Sequence, residues 1–211
     1  MHGDLVGFKT ALAIFAREKV GMMLCPGDIV ERGSDADEIV RLIGEYNFGC
    51  IKGNHEHSVI RNQKYWRAAQ NPERMAQLGR IISDQTLTFL ESLPEAQQYI
   101  AENTRITMGH GTPWSDLLGV FPDSRQGIYD QLFARYGQHT DIMILGHTHQ
   151  PMQVKYQGML ILNPGSVYGV TIRDSHSCAV LALPEKKFRV FDLKTSEEIQ
   201  TETIDRSPPM A

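Results

Sequence analysis

The chain has 211 residues, 41% apolar and 22% charged, the composition of a globular domain with a core rather than a disordered one. Twenty-one basic residues against 25 acidic ones leave a net charge of −4, which argues against broad nucleic-acid binding. No apolar run approaches the ~18 residues of a membrane helix, and the N-terminus shows no secretory pattern. In chain order, Leu5, Phe8, Leu12 and Phe15 fall at helical spacing behind a potential N-cap, Asp4, and predict a helix to Lys19. Val20–Cys25 reads as a strand stopped by Pro26-Gly27. Ser34 and Asp37 suggest a capping box ahead of a helix burying Ile39, Leu42, Ile43 and Tyr46. Cys50–Lys52 reads as a second strand. Residues 57–94 are polar and predict two helices, the second from Ser83 to just before Pro94.

Strand texture returns at Tyr99–Ala101 and Arg105–Met108, then a helix at Gln126–Tyr136 and a strand at Asp141–Leu145. Four more strands are predicted at Met159–Leu162, Val167–Ile172, Cys178–Leu183 and Phe188–Leu193. Alternation of strands and helices gives an α/β fold, with two sheets facing each other and helices outside. A single domain over 1–206 is expected, with 57–94 as a helical insertion and 207–211 as a disordered tail. Cys25, Cys50 and Cys178 are too few and too scattered for a disulfide framework, so they read as reduced core residues of a cytoplasmic protein.

Five of the eight histidines stand beside glycine or in a Gly/Asn loop: His2, His55, His110, His147 and His149. His57, His139 and His176 look like ordinary loop or surface residues. Four predicted strands run into Gly27-Asp28, Gly53-Asn54-His55-Glu56, Gly109-His110 and Gly146-His147-Thr148-His149. Ligand sites of open α/β sheets lie outside the strand carboxyl ends. Imidazoles with a carboxylate suit a transition metal better than calcium or magnesium.

That series resembles the calcineurin-like metallophosphoesterases. Asn163-Pro164-Gly165-Ser166 is similar to the small bacterial and archaeal phosphodiesterase branch, and the resemblance spans residues 1–193. It implies a four-layer αββα sandwich holding two divalent transition metals, manganese first, with iron, zinc, nickel or cobalt as alternatives. Asp28 would bridge both; His2 and His149 would bind one, and Asn54, His110 and His147 the other. His55 would act on the leaving-group oxygen, with Glu56 holding its ring, while a hydroxide shared by the metals attacks phosphorus in line. Arg32 matches a phosphate-gripping arginine of the protein Ser/Thr phosphatase branch. Lys52 stands where that branch carries arginine, which weakens the phosphomonoesterase alternative.

The family opens with a strand ending in Asp-x-His, whereas this chain opens Met1-His2-Gly3-Asp4. A first strand and its metal-binding Asp are therefore expected to be missing, with the native start upstream of Met1. The implied function is hydrolysis of a small phosphoester, a diester foremost. The alternative from another class is a non-catalytic interaction module on the same fold. Trp66, Trp114 and Phe121 are candidates to touch an organic group of the substrate. Oligomeric state is not legible.

Overall fold

The computed structural model describes residues 1–209. Helix α1 (Leu5–Arg17) starts where Asp4 accepts a bond from the Gly7 N–H at 2.9 Å, and it buries Phe8, Ala11, Leu12 and Ile14. Strands β1 (Leu24–Cys25) and β2 (Gly49–Cys50) pair in parallel around α2 (Ala36–Glu45). The expected box at Ser34 and Asp37 does not form. Asp37 instead accepts from Ser83 Oγ at 2.9 Å and ties α2 to α5 (Asp84–Ser92), which Ser83 caps through the Thr86 N–H. Helices α3 (Asn54–Arg67) and α4 (Pro72–Gln77) complete the helical segment.

The remaining elements are β3 (Ala96–Ala101), β4 (Thr104–Gly109), α6 (Gln126–Tyr136), β5 (Ile142–Ile144), β6 (Pro151–Tyr156) and β7 (Met159–Pro164), followed by β8 (Ser177–Ala182), β9 (Lys187–Asp192), β10 (Glu198–Ile199) and β11 (Thr203–Asp205). Six strands form a mixed sheet in the order β11-β6-β7-β5-β4-β3, and β10-β9-β8 form an antiparallel sheet. The layers can be read from the cores. Ala11 and Ile14 of α1 pack on Cys178 and Phe191 of the three-stranded sheet. Ile106, Ile142 and Leu162 face Leu181, Leu183 and Phe188 between the sheets. Met143, Val154, Tyr156 and Ile161, on the opposite face of the large sheet, pack on Tyr129 and Leu132 of α6. This is the expected α/β arrangement of facing sheets with helices outside.

Two predicted strands differ. Val20–Met23 is not strand, and Leu24–Cys25 pair only with Gly49–Cys50 among the described residues. A cavity of about 630 Å³ lies on that side, lined by Met22, Leu24, Ile144, Ala179 and Leu181 among others. Val167–Ile172 is a loop, not a strand, and leaves Val170 and Ile172 exposed. At the C-terminal end β11 pairs in parallel with β6, and Ser207 Oγ accepts from the Gln157 N–H, so the expected tail is anchored where it begins. Residues 210–211 of that tail lie outside the described residues. All three cysteines are free and buried, and no helix among the described residues is long and apolar enough to cross a membrane.

Candidate metal centre

The site is assembled by the loops that leave β1, β2, β4 and β5, together with His2. β1 and β2 are parallel neighbours, as are β4 and β5, so each pair releases its loops at one end, and the two ends meet where Asp28 Oδ2 lies 3.3 Å from His110 Nε2. The loops crowd because two of the residues between them are glycines. A Cβ on Gly53 would stand 2.4 Å from Asp28 Oδ1, and one on Gly27, whose φ is +88°, would stand 2.7 Å from the Gly53 nitrogen. Left-handed backbone continues into the site residues: His2, Asp28, Glu31, Arg32, His147 and His149 all have positive φ. Each such non-glycine residue costs ~1–3 kcal/mol, which only a well-determined surrounding can hold.

Asp28 Oδ2 is the common point. It lies 3.3 Å from His110 Nε2, 3.5 Å from His2 Nε2 and 3.8 Å from His149 Nε2. His2 Nε2 and His149 Nε2 are themselves 2.9 Å apart. On the other side Asn54 Oδ1 is 3.0 Å from both His110 Nε2 and His147 Nδ1. Two groups of donor atoms result, His2/Asp28/His149 and Asp28/His110/His147, each within 4.8 Å, with Asp28 in both. The six residues predicted from the sequence as metal ligands are thus brought together.

The electrostatics fit cations. Burial alone would push the Asp28 carboxyl up, but His110, His149 and His2 outweigh it and hold it well below the usual carboxylate range. Burial likewise opposes charge on His110, yet Asp28 and the Pro26 carbonyl raise it to about 9. Burial lowers His2 and His147, which favours the neutral, ligating imidazoles. A divalent ion held between the same atoms would take over the role of a proton on His110 in balancing the buried carboxylate. His110 Nδ1 donates to the Pro26 carbonyl at 2.6 Å, which leaves Nε2 turned inward.

The expected partner of His55 is corrected. Glu56 is fully buried, and its carboxylate accepts from the backbone N–H groups of Asp28, Ile29, Val30 and Gly53 at 2.7–3.2 Å. It braces the Asp28 loop and does not touch the His55 ring. Glu31 does: its Oε2 is 2.9 Å from His55 Nδ1, and its Oε1 accepts from Arg80 Nε at 3.1 Å. Burial opposes ionisation of Glu31, but His55 and Arg80 prevail and keep its carboxyl low. Sequence reasoning passed over Glu31, although it adjoins Arg32 in Gly27-Asp28-Ile29-Val30-Glu31-Arg32-Gly33. Also unforeseen was the work of Asn163, whose Nδ2 donates to the Gly146 carbonyl and to Thr148 Oγ1, pinning the loop that carries His147 and His149.

A family model described as the calcineurin-like phosphoesterase superfamily domain matches residues 1–186. The chain belongs to that superfamily. Among curated proteins, an uncharacterised protein of Methanocaldococcus jannaschii, MJ0912, is 26% identical over 179 residues, which is 80% of this chain and 67% of that protein. Among solved structures, the fold is similar to hypothetical protein PH1004 of Pyrococcus horikoshii at a TM-score of 0.73 and 15% identity, covering 90% of this chain and 84% of that one. A metallophosphoesterase of Sphaerobacter thermophilus gives 0.63 at 20% identity, covering 94% and 84%. The superfamily implies divalent metal ions and phosphoester hydrolysis in general terms, and the ligand groups just described suit such ions.

The remaining sequence-predicted residues divide. Arg32 reaches the site rim, its guanidinium 5.8 Å from the Tyr168 ring centre. Lys52 does not: its Nζ donates to the Glu91 carbonyl and lies 4.0 Å from Glu95. Trp66 packs on the α2–α5 core beneath Arg80, and Trp114 stacks on Tyr136 beneath Arg135, so neither is an open platform for substrate. Phe121 is exposed, and its ring lies 3.3 Å from where a Cβ on Gly119 would stand, the glycine that abuts His147.

Proposed function

We propose that this chain is a dinuclear metal-dependent phosphodiesterase acting on a small phosphodiester. The observation that carries the reading is the single Asp28 oxygen shared by two sets of imidazoles, with His55 beside them. His2 and His149 with Asp28 would hold one ion, and Asn54, His110 and His147 with Asp28 the other; manganese is the first candidate. Two divalent ions so held supply a nucleophile at neutral pH and offset charge on the phosphoryl oxygens.

The chain's own groups do the rest. The His55 ring stands edge-on to His2 at 4.5 Å between centres, while its Nδ1 is engaged by Glu31. Nε2 is thereby left to give a proton to the departing ester oxygen, and the Glu31 carboxylate supports the imidazolium before transfer. Arg32 grips a non-bridging phosphoryl oxygen through Nε and Nη2, which make no hydrogen bond to protein among the described residues. A diester is favoured over a monoester because Arg32 is shared with Asp174 and the cations near it are already engaged. Arg80 is engaged by Glu31, and Lys52 is turned to Glu91. A singly charged phosphodiester needs less positive charge than a dianionic monoester.

The test is hydrolysis of bis(p-nitrophenyl) phosphate against p-nitrophenyl phosphate, with Mn²⁺ and with chelator. Turnover should require metal, favour the diester and vanish together with bound metal in Asp28→Ala. A wild-type protein that binds two equivalents of Mn²⁺ yet hydrolyses neither ester would instead support the scaffold alternative.

A further inference from the structure

The loop between β7 and β8, expected as strand, folds back over the metal centre and delivers one carboxylate that no motif announces. The Asp174 side chain has no solvent exposure. Its Oδ2 accepts from the Thr171 backbone N–H at 3.0 Å and from Thr171 Oγ1 at 2.6 Å, which locks the carboxylate to its own loop. Its Oδ1 accepts from His149 Nδ1 at 2.6 Å and stands 3.5 Å from Arg32 Nη1. The Ser175 N–H donates to the His149 carbonyl at 3.2 Å, so loop and ligand are joined at backbone level as well. Tyr168, from the same loop, lies under Arg32 and edge-on to His2, 5.8 Å away in each case.

The histidines that turn Nε2 to Asp28 are held differently. His110 donates from Nδ1 to a neutral carbonyl, and His2 Nδ1 has no partner although it is buried. His149 alone of the three is held by a carboxylate. A carboxylate at Nδ1 fixes the proton there, points the Nε2 lone pair inward and makes the imidazole a stronger donor to a metal.

We propose that Asp174 is a positioning residue that sets the tautomer of His149 and the place of Arg32 together. The β7–β8 loop thereby tunes both the affinity of the His2/Asp28/His149 group for its ion and the grip on phosphate. The second half rests on the phosphodiesterase reading; the first does not.

Three readouts test it on the full-length protein. In metal-free wild type, ¹⁵N-detected imidazole spectra should show His149 protonated at Nδ1, and Asp174→Ala should give a mixture of tautomers. Titration with Mn²⁺ should show one site weakened about 10–100-fold in Asp174→Ala and the other unchanged. With bis(p-nitrophenyl) phosphate at saturating Mn²⁺, KM should rise more than kcat falls. Asp174→Asn keeps size and one acceptor, so it should fall between the two and serves if the alanine variant does not fold. His149 protonated at Nε2 in the wild type, or two unaltered Mn²⁺ affinities in both variants, overturns the proposal. Wild-type protein without diesterase activity overturns the functional reading and leaves the tautomer and the titration to decide on Asp174.

Discussion

Glu31 belongs to the Asp28 loop, Glu56 braces that loop from α3, and their different tasks can be separated by substitution. Glu31→Gln keeps the size of the side chain but removes the charge that supports an imidazolium at His55. Turnover should fall about 10-fold or more with metal content unchanged, and His55→Ala should lower it ~10²-fold or more. Glu56→Gln places a donor where four backbone N–H groups converge on acceptors. It should cost about 3 kcal/mol in urea unfolding and reduce metal content with it. Metal content that falls in Glu31→Gln and is spared in Glu56→Gln would reverse these assignments. Four of the six candidate ligands, Asp28, Asn54, His110 and His147, were legible in the sequence because each follows a glycine at a strand end; His149 stands two residues after His147, and His2 stands beside Gly3. The pairing of His55 was not legible, because Glu56 is its neighbour in sequence while Glu31 meets it only through folding. Asp174 was invisible for a similar reason: its partners His149 and Arg32 lie 25 and 142 residues away.

Elements whose buried face repeats were readable. α1, α2, α5, α6 and strands β4, β5, β7, β8 and β9 lie close to their predicted places, whereas β10 and β11 were not foreseen. β6 was missed even though Met152, Val154 and Tyr156 are buried and alternate with Gln153 and Lys155, a period-two signal following a proline. Gln157 and Gly158, both at positive φ, turn it into β7. Val167–Ile172 was misread because its apolar residues pass for strand texture, whereas Asp174 folds Thr171 back into a loop. At the other end of the sheet, Arg105 chelates Asp141, with Nε and Nη2 donating at 3.0 and 2.9 Å, and so fixes β4 against the start of β5. Arg105 lowers the Asp141 carboxyl to about 2. A depressed folded-state pKa adds stability that is present above the unfolded value of ~3.9 and is lost as pH falls through the folded one. The pair is partly exposed, so Asp141→Asn should cost only ~0.5–1 kcal/mol at neutral pH. That difference should shrink between pH 4 and about 2 in thermal melts of the two proteins side by side. A gap that stays constant down to acid would show that Asp141 acts through shape rather than charge.

For the molecule as a whole, the candidate metal centre is also where separate layers are tied together. His2 precedes α1, Asp28 and Asn54 follow the small parallel pair, and His110, His147 and His149 follow strands of the large sheet. Between these bodies lies the cavity beside β1, so apolar contact there is incomplete and the strands of the parallel pair are only two residues long. Ions at Asp28 would therefore cross-link parts that packing joins weakly, and would bind the folded state alone. Each ion at 100 times its dissociation constant contributes ~2.7 kcal/mol. In a chain of this size each kcal/mol moves Tm by ~2–4 °C. Chelation should thus lower Tm by ~5–10 °C for every ion lost, and re-addition of Mn²⁺ should restore it. Asp28→Ala should melt at one temperature with or without chelator, while His55→Ala should follow the wild type, since His55 is not among the proposed ligands. If calorimetry showed the same melting point for loaded and stripped wild-type protein, the ions would have no part in joining the layers, and the convergence at Asp28 would have to be held by Glu56 and the glycine-lined loops alone.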